Sequence, residues 1–472
     1  MSRSVRQATL IIVGCLAALA GLGLARKVHL ILPIWPLLLV TFCLLLLRPK
    51  NVACLILMAF LGLSLGLWRG GLFMDRLGQL NRLTDQKVTI QATATSDAIY
   101  AKQSQIQFTV NHVKLSSPRR EALAGNFKIS GFGVPIVYRG DRVQISGKLY
   151  PSRGANQATI AYAQLRRLGQ DDSWLNRLTR RFTAGLQTAL PEPQASFGLG
   201  LLIGQRTTLP QEILNQLALV GLVHIVAVSG YNVTILARAV ARLKLGSKYQ
   251  QLVLSLTLIA AFVLVTGFSA SIVRAALVSL LSLWAWFYGR KVQPVVLIAF
   301  AAALTGLLNP FYVWSDLGWY LSFLAFFGVL VIAPIIVKRL FKRQPKNLTM
   351  VLVETFSAEV MTLPLIMVSF GQLSLIALVA NLLVLPLVPW AMLLATVAGL
   401  AGWAAPALAG WLAWPARLLL TYMLDVAHWF ANLPAVIVHK TIGLDIMLSF
   451  YGLVLVVILI WHHRAGRQAS EL

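Results

Sequence analysis

The chain has 472 residues, of which 58% are hydrophobic and 12% are charged, and its mean hydropathy is +0.75. No soluble core could cover so much apolar surface, so the composition excludes a soluble globular protein and indicates an integral membrane protein. The 41 Lys and Arg residues outnumber the 15 Asp and Glu residues and give a formal net charge of +26. A basic excess of this size predicts contact with a polyanion, either lipid headgroups or nucleic acid.

Residues 1–74 predict a three-helix membrane bundle. Arg3 and Arg6 precede an apolar run that ends near Ala25, which is also the pattern of a signal peptide. Two further apolar runs follow at about residues 30–47 and 51–68. We favour the bundle, because a helix that is followed at once by two more apolar runs is the simpler interpretation.

Residues 75–170 break the apolar pattern and predict a small β domain. Its strand-like segments alternate polar and apolar side chains at residues 88–93, 106–110, 127–130, 143–149 and 159–163. Short strands of this number, separated by turns that contain Gly, Pro and Ser, suit a small barrel such as an OB-fold.

Residues 171–218 predict amphipathic or interfacial helices. In the first helix the apolar positions recur at every fourth residue: Trp174, Leu178, Phe182, Leu186 and Leu190. Asp172 or Ser173 is suited to cap its start. A basic amphipathic helix beside a membrane domain is expected to lie in the interface plane, and packing on the barrel stays open as the alternative.

Residues 219–472 predict nine further apolar spans. They lie near 219–241, 252–268, 271–288, 294–308, 316–337, 350–369, 373–400, 408–430 and 443–461. With twelve spans and a cytoplasmic N-terminus, every strongly basic loop falls on the cytoplasmic side. The charges therefore predict that both termini are cytoplasmic and that the β domain is extracytoplasmic.

Several stretches between residues 201 and 386 share residues and spacing with one known family. They are Leu201–Arg206, Gly221–His224, Val228–Gly230, Ser269–Ala276, Asp316–Phe323 and Ala380–Pro386. In order and spacing they resemble the competence protein family ComEC, the inner-membrane DNA channel of natural transformation. Tyr138–Leu149 is similar to the Gly-Asp strand pair of the OB-like domain of that family.

The resemblance implies a polytopic α-helical membrane protein with about twelve spans and one small extracytoplasmic OB-like β-barrel. It implies a channel in the bacterial inner membrane that translocates single-stranded DNA into the cytoplasm, with residues 219–472 as the channel domain. The implied partners are membrane lipids, an extracytoplasmic DNA receptor, a separate nuclease, and a cytoplasmic motor or single-strand-binding protein.

A different class of function stays open beside the channel. It is a twelve-span secondary transporter for a small or lipid-linked anion, which an internal repeat would favour, and we find no such repeat. Many members of the resembled family append a metallo-β-lactamase-like nuclease domain. We expect this chain to lack that domain and to transport DNA without cutting it.

The sequence predicts no enzyme, no cofactor and no metal site. The seven His residues are scattered and form no metal-binding motif, and the chain holds no Walker A motif and no Gly-x-Ser-x-Gly elbow. We therefore assign no catalytic residue.

The basic residues of the β domain are candidates for DNA contact. They are Arg119, Arg120, Lys128, Arg139, Arg142 and Lys148. Lys and Arg contacts to phosphate bind without sequence preference, and attraction to anionic lipid is the alternative. Phe127, Phe132 and Tyr138 are candidates for base stacking, although core packing explains aromatic residues in alternating strands equally well.

Polar residues within the apolar spans are candidates for the lining of a channel. They are His224, Ser229, Asn232, Arg274, Asp316 and Asn381. Such residues are costly in lipid and normally face a partner or a water-filled path. Interhelical hydrogen bonds are the alternative for Ser229 and Asn232, and a mutual salt bridge is the alternative for Arg274 and Asp316.

Overall fold

The computed structural model describes residues 7–28, 52–100, 105–117, 121–123, 125–132, 137–151, 156–169, 173–205, 208–226, 233, 247–266, 270–290, 293–341, 345, 347–434 and 436–468. The chain forms two compact units. The first comprises Met1–Pro210, His224–Phe323 and Val388–Thr421, and the second comprises Gln211–Val223, Leu324–Leu387 and Tyr422–Leu472.

The first unit begins with a pair of apolar helices, α1 (Gln7–Ala25) and α2 (Val52–Asn81). The two helices run parallel, because Gly62 lies against Gly14 and Gly70 lies against Ala25. A Cβ atom at Gly66 would collide with the carbonyl oxygen of Ala18. Small residues at every fourth position of α2 therefore let the two backbones approach closely, as in other membrane helix pairs.

The β domain follows α2 and contains seven strands. They are β1 (Lys87–Ala94), β2 (Ile99–Tyr100), β3 (Ile106–Ser117), β4 (Glu121–Leu123), β5 (Phe127–Gly131), β6 (Arg142–Pro151) and β7 (Ala158–Gly169). The strand order is β1-β6-β7-β5-β3, and β1 also pairs with β3, so the sheet closes on itself. β5 and β7 are parallel, and the other pairs are antiparallel.

The alternation of side chains explains this sheet. Val88, Ile90, Phe127, Ile145 and Ile160 point into one fully buried core. Each strand-like segment of the sequence falls within β1, β3, β5, β6 or β7. The short strands β2 and β4, which pair with β3, have no counterpart among those segments.

Most of the rest of the described chain is helical. In chain order they are α3 (Trp174–Ala189), α4 (Gln194–Ile203), α5 (Gln211–Leu219), α6 (Val223–Val226), α7 (Lys248–Thr266), α8 (Ala270–Phe287), α9 (Pro294–Leu308), α10 (Phe311–Ser315), α11 (Leu317–Phe327), α12 (Ala333–Leu340), α13 (Asn347–Phe370), α14 (Ala377–Val384), α15 (Val388–Ala404), α16 (Pro406–Ala431) and α17 (Leu444–Gln468). A π-helical turn, Gly328–Ile332, joins α11 to α12. A two-stranded sheet of β8 (Gln372–Ser374) and β9 (Ile437–His439) lies in the second unit.

The amphipathic helix α3 packs on α15 within the first unit. Ser173 caps its start, since its hydroxyl oxygen accepts a hydrogen bond from the amide of Asn176 at 3.4 Å. Gly185 lies against Gly399 and Gly402, where a side chain on any of the three would clash. Trp174, at the other end of α3, is exposed.

Seven of the described helical stretches are long and apolar enough to cross a membrane. They are Gln7–Ala25, Val52–Gly78, Lys248–Thr266, Leu317–Leu340, Thr349–Phe370, Ala377–Ala404 and Pro406–Ala431. The predicted spans near 271–288, 294–308 and 443–461 correspond to shorter apolar helices. The predicted span near 30–47 and most of 219–241 lie outside the described residues, so the count of twelve stays a prediction. The chain is a polytopic helical membrane protein with a small sheet domain.

Candidate functional site

A tight turn at residues 138–141 precedes β6 in the β domain and contains Arg139 and Asp141. Gly140 has a φ of +89°, a backbone conformation that glycine adopts without strain. The next residue, Asp141, is 1% exposed. Its carboxylate accepts hydrogen bonds at 3.0 Å from the amide of Tyr138 and from Arg167. The Gly-Asp pair therefore closes the turn and fixes the start of β6.

Arg139, in the same turn, docks the β domain onto a membrane helix. Its guanidinium donates to the carbonyl oxygens of Val265 at 3.3 Å and Leu264 at 3.4 Å, at the C-terminal end of α7. Its amide donates to Asp97 at 2.9 Å. Burial lowers the pKa of Arg139, and the attraction of Asp97 partly offsets this effect. Arg139 thus satisfies carbonyl groups that the helix end leaves open.

A cavity of about 240 Å³ lies between the β domain and three helices of the same unit. Gly125, Asn126 and Gln157 line it from the β domain. The helices contribute the rest of the lining: Val273 of α8, Thr305 and Leu308 of α9, Asn309, and Tyr312 of α10. The C-terminal ends of α7 and α9 and the N-terminal part of α8 therefore lie on the side of the β domain.

Arg274, next to the cavity-lining Val273, is a buried cation with unused hydrogen-bonding capacity. Arg274 is only 3% exposed. Nη2 donates to the carbonyl oxygen of Gly318 at 3.1 Å, whereas Nε and Nη1 have no hydrogen-bond partner among the described residues. A guanidinium with two free donors suits an oxyanion such as phosphate, which accepts paired hydrogen bonds.

Asp316 attracts Arg274 electrostatically, but the two residues form no ion pair within 4.0 Å. The Asp316 side chain instead accepts a hydrogen bond from the amide of Gly318 at 2.9 Å, which caps the start of α11. One turn further, Trp319 donates to Thr305 of α9 at 3.0 Å. These bonds hold in place the carbonyl group that Arg274 contacts.

The second unit contains a separate polar pair at membrane depth. The side-chain amide of Asn381 in α14 donates a hydrogen bond to the carboxylate of Glu359 in α13 at 2.5 Å. Asn381 is 4% exposed, and no residue that the structure describes forms a hydrogen bond with its Oδ1 atom. The sequence singles out Asn381, but only the packing of α13 and α14 brings it to Glu359.

The other predicted site residues are dispersed. Arg142 and Lys148 are exposed on β6, Lys128 is half-buried on β5, and His224 is exposed on α6. Arg119, Arg120, Ser229 and Asn232 lie outside the described residues. No structural observation tests their assigned roles, which stay predictions.

The aromatic candidates separate into core and surface. Phe127 is fully buried, so core packing is its role. Phe132 is 52% exposed and stacks on Tyr162, which the sequence did not single out. Regular alternation along β7 would place the Tyr162 side chain on the same side as that of the buried Ile160. A local irregularity of the strand turns the Tyr162 side chain outward instead.

Comparison with known proteins decides the family. The model of the family described as "Competence protein" matches residues 201–464, more than half of the chain. The chain belongs to the competence protein family. It is 26% identical over 225 residues to ComE operon protein 3 of Bacillus subtilis (strain 168), a stretch that covers 47% of this chain and 28% of that protein. No solved structure matches the chain.

The matched region contains Arg274, Asp316, Glu359 and Asn381, whereas the β domain precedes it. The polar groups buried among the helices therefore fall within the part that defines the family.

Proposed function

We propose that this competence protein forms a channel that passes single-stranded DNA across the inner membrane into the cytoplasm during natural transformation. The observation that carries the proposal is Arg274, a buried guanidinium in which two donors have no acceptor within the part of the chain that the structure describes. A buried charge with incomplete hydrogen bonding is costly in a membrane protein. A passing phosphate group would supply the missing acceptors and could leave again, because one residue alone holds it weakly.

The β domain would be an OB-like barrel outside the cell membrane that meets the DNA before it enters the channel. Its closed sheet, in which β1 pairs with both β6 and β3, supports this assignment. Arg142 and Lys148 are exposed on β6 and available to phosphate. Arg139 would serve mainly to dock the domain, since the carbonyl groups of α7 engage its guanidinium.

The proposed topology follows from the helix ends that face the β domain. If the N-terminus is cytoplasmic, α1 and α2 both run outward and deliver the chain to an extracytoplasmic β domain. DNA would then reach the channel from an extracytoplasmic receptor. A separate nuclease would supply the single strand, and a cytoplasmic motor or single-strand-binding protein would draw it inward. A transporter for a small anion is not favoured, because the family points to DNA uptake.

A deletion strain tests the proposal. Labelled duplex DNA is offered to competent cells, and external nuclease separates surface-bound from internalised label. Deletion should leave the surface-bound label unchanged and remove the internalised label, and expression of the intact chain should restore it. Internalisation that continues at the wild-type level in the deletion strain would refute the channel.

A further inference from the structure

Strand β7 carries a bulge that turns one aromatic side chain out of the β domain. On the neighbouring β6, Ser146 pairs with Gln164 but Lys148 pairs with Ala161, so two β7 residues, Tyr162 and Ala163, oppose one residue of β6. Tyr162 has a φ of +55°, which is uncommon for a residue with a side chain. Backbone strain of this kind is concentrated at functional sites.

The bulge places Tyr162 beside a second exposed aromatic residue. Tyr162 is 68% exposed, and its ring lies 6.3 Å, centroid to centroid, from the ring of Phe132, with an interplanar angle of 28°. Gly131 makes this neighbourhood possible, because a Cβ atom there would collide with the carbonyl oxygen of Ala163. The two nearly parallel rings, which we call the aromatic platform, leave most of their surface to solvent.

Cations lie directly beside the aromatic platform. Tyr162 lines a cleft of about 380 Å³ together with Lys87, Lys148, Ser146, Gly147, Gln164 and Asp85. Lys87 and Lys148 are opposite each other in the β1–β6 pair, an arrangement that destabilises a sheet unless an anion is near. Asp85 lies 3.0 Å from Lys148 and compensates one of the two charges. A second anion would compensate the other.

The charged face continues away from the platform along β6. Arg142 is exposed at the far end of the strand, and Arg166 lies across from Gln144. Lys148 lies six positions after Arg142 along the extended strand, a distance of about 20 Å. A flexible polyanion of several units would therefore meet cations at both ends of one face.

We propose that the aromatic platform is a base-stacking site for single-stranded DNA, with Lys87 and Lys148 holding the flanking phosphates. The proposal rests on the proposed function and identifies the surface of the β domain that binds the DNA. Every base has a face that stacks on an aromatic ring, so the site takes any sequence. The paired lysines favour a polyanion over a neutral glycan, which would also stack on exposed rings.

The test uses the full chain in nanodiscs of zwitterionic lipid and two fluorescent probes. One probe is a thymidine 20-mer, and the other is an abasic 20-mer with the same number of phosphates. The wild-type protein should bind the thymidine probe about tenfold more tightly than the abasic probe, because only the thymidine probe has bases that can stack. Phe132→Ala combined with Tyr162→Asn should abolish this preference and leave the affinity for the abasic probe unchanged.

Matched variants separate stacking from charge and from folding. Asn tolerates the backbone conformation of Tyr162, so the double variant keeps the bulge. Tyr162→Phe and Leu168→Ala, a change of another exposed apolar residue of β7, should both retain the preference. Lys87→Gln combined with Lys148→Gln should weaken binding of both probes alike and leave their ratio unchanged.

Two results would overturn the platform. They are equal affinity of the wild-type protein for both probes, and a preference that survives in the Phe132→Ala, Tyr162→Asn variant. Binding of a neutral cell-wall glycan fragment at the platform, with no preference between the DNA probes, would reassign it. None of these outcomes would refute the proposed channel, because the deletion strain tests the channel independently.

Discussion

Arg274 of α8 donates a hydrogen bond to the carbonyl oxygen of Gly318, 44 residues further along the chain, and this contact joins α8 to the start of α11. The bond uses one of the guanidinium nitrogens, and no residue in the described ranges accepts a hydrogen bond from the other two. A mutual salt bridge with Asp316 would have explained the buried charge as structural. Because Asp316 caps α11 instead, the remaining donors of Arg274 are available to a ligand.

The capping role of Asp316 predicts different effects for two substitutions. Asp316→Asn keeps an oxygen that accepts from the amide of Gly318, so the thermal stability of the protein should stay near that of the wild type. Asp316→Ala should lower the free energy of unfolding by about 1 kcal/mol. Thermal unfolding of the detergent-solubilised protein measures both. If Asp316→Asn were as damaging as Asp316→Ala, the negative charge rather than the cap would be essential.

The docking turn predicts a dependence of stability on pH. Burial raises the pKa of Asp97, and the hydrogen bond from the amide of Arg139 only partly opposes this shift. The folded state thus binds the proton more tightly than the unfolded chain, whose Asp pKa is about 3.9. The contribution of Asp97 to stability should fall as the pH rises from that value through the raised pKa.

Asp97→Asn removes this titration and keeps the acceptor for the amide of Arg139. The Tm of the variant minus the Tm of the wild type should therefore be larger at pH 7 than at pH 4. Other carboxyl groups titrate in both proteins and cancel in the difference. A difference that is constant between the two pH values would contradict the burial of the charged carboxylate.

The close approach of α1 and α2 predicts that two glycines of one helix respond differently to the same change. Gly66→Ala would push a methyl group into the backbone of α1 near Ala18, and overpacking of this kind costs about 1–3 kcal/mol. Gly78→Ala meets nothing within 4 Å and should be neutral or slightly stabilising, because Ala favours helix. Thermal unfolding of the two variants checks the contact. Equal stability would show that the helices do not pack through Gly66.

Local features of the fold were predictable from the sequence. Alternating side chains predict five of the strands, and the polar residue before Trp174 predicts the start of α3. The exposed position of Tyr162 was not predictable, because the bulge in β7 breaks the alternation on which the prediction rests. The contacts of Arg274 with Gly318 and of Asn381 with Glu359 depend on how helices that are distant in the sequence pack together. The hydrophobic periodicity of the sequence does not predict that packing.

The proposed topology predicts which positions an impermeant thiol reagent reaches in intact cells. In a background with Cys15, Cys43 and Cys54 replaced by Ala, Gln91→Cys on the outer surface of β1 should be labelled. Lys338→Cys, at the exposed end of α12, should be labelled only after the membrane is permeabilised. The reverse pattern would invert the orientation and place the β domain in the cytoplasm.

Internalisation of DNA by Arg274 variants tests the channel most directly. A hydrogen bond to a charged group contributes about 1.5–3 kcal/mol, so Arg274→Ala should lower internalised DNA by about ten- to a hundredfold at an unchanged level of inserted protein. Surface-bound DNA should stay constant, and Arg290→Ala, which removes an exposed charge just beyond the other end of α8, should internalise DNA normally. Arg274→Ala cells that internalise DNA at the wild-type rate would contradict the account. So would a loss of inserted protein that the double change Arg274→Ala with Asp316→Ala restores.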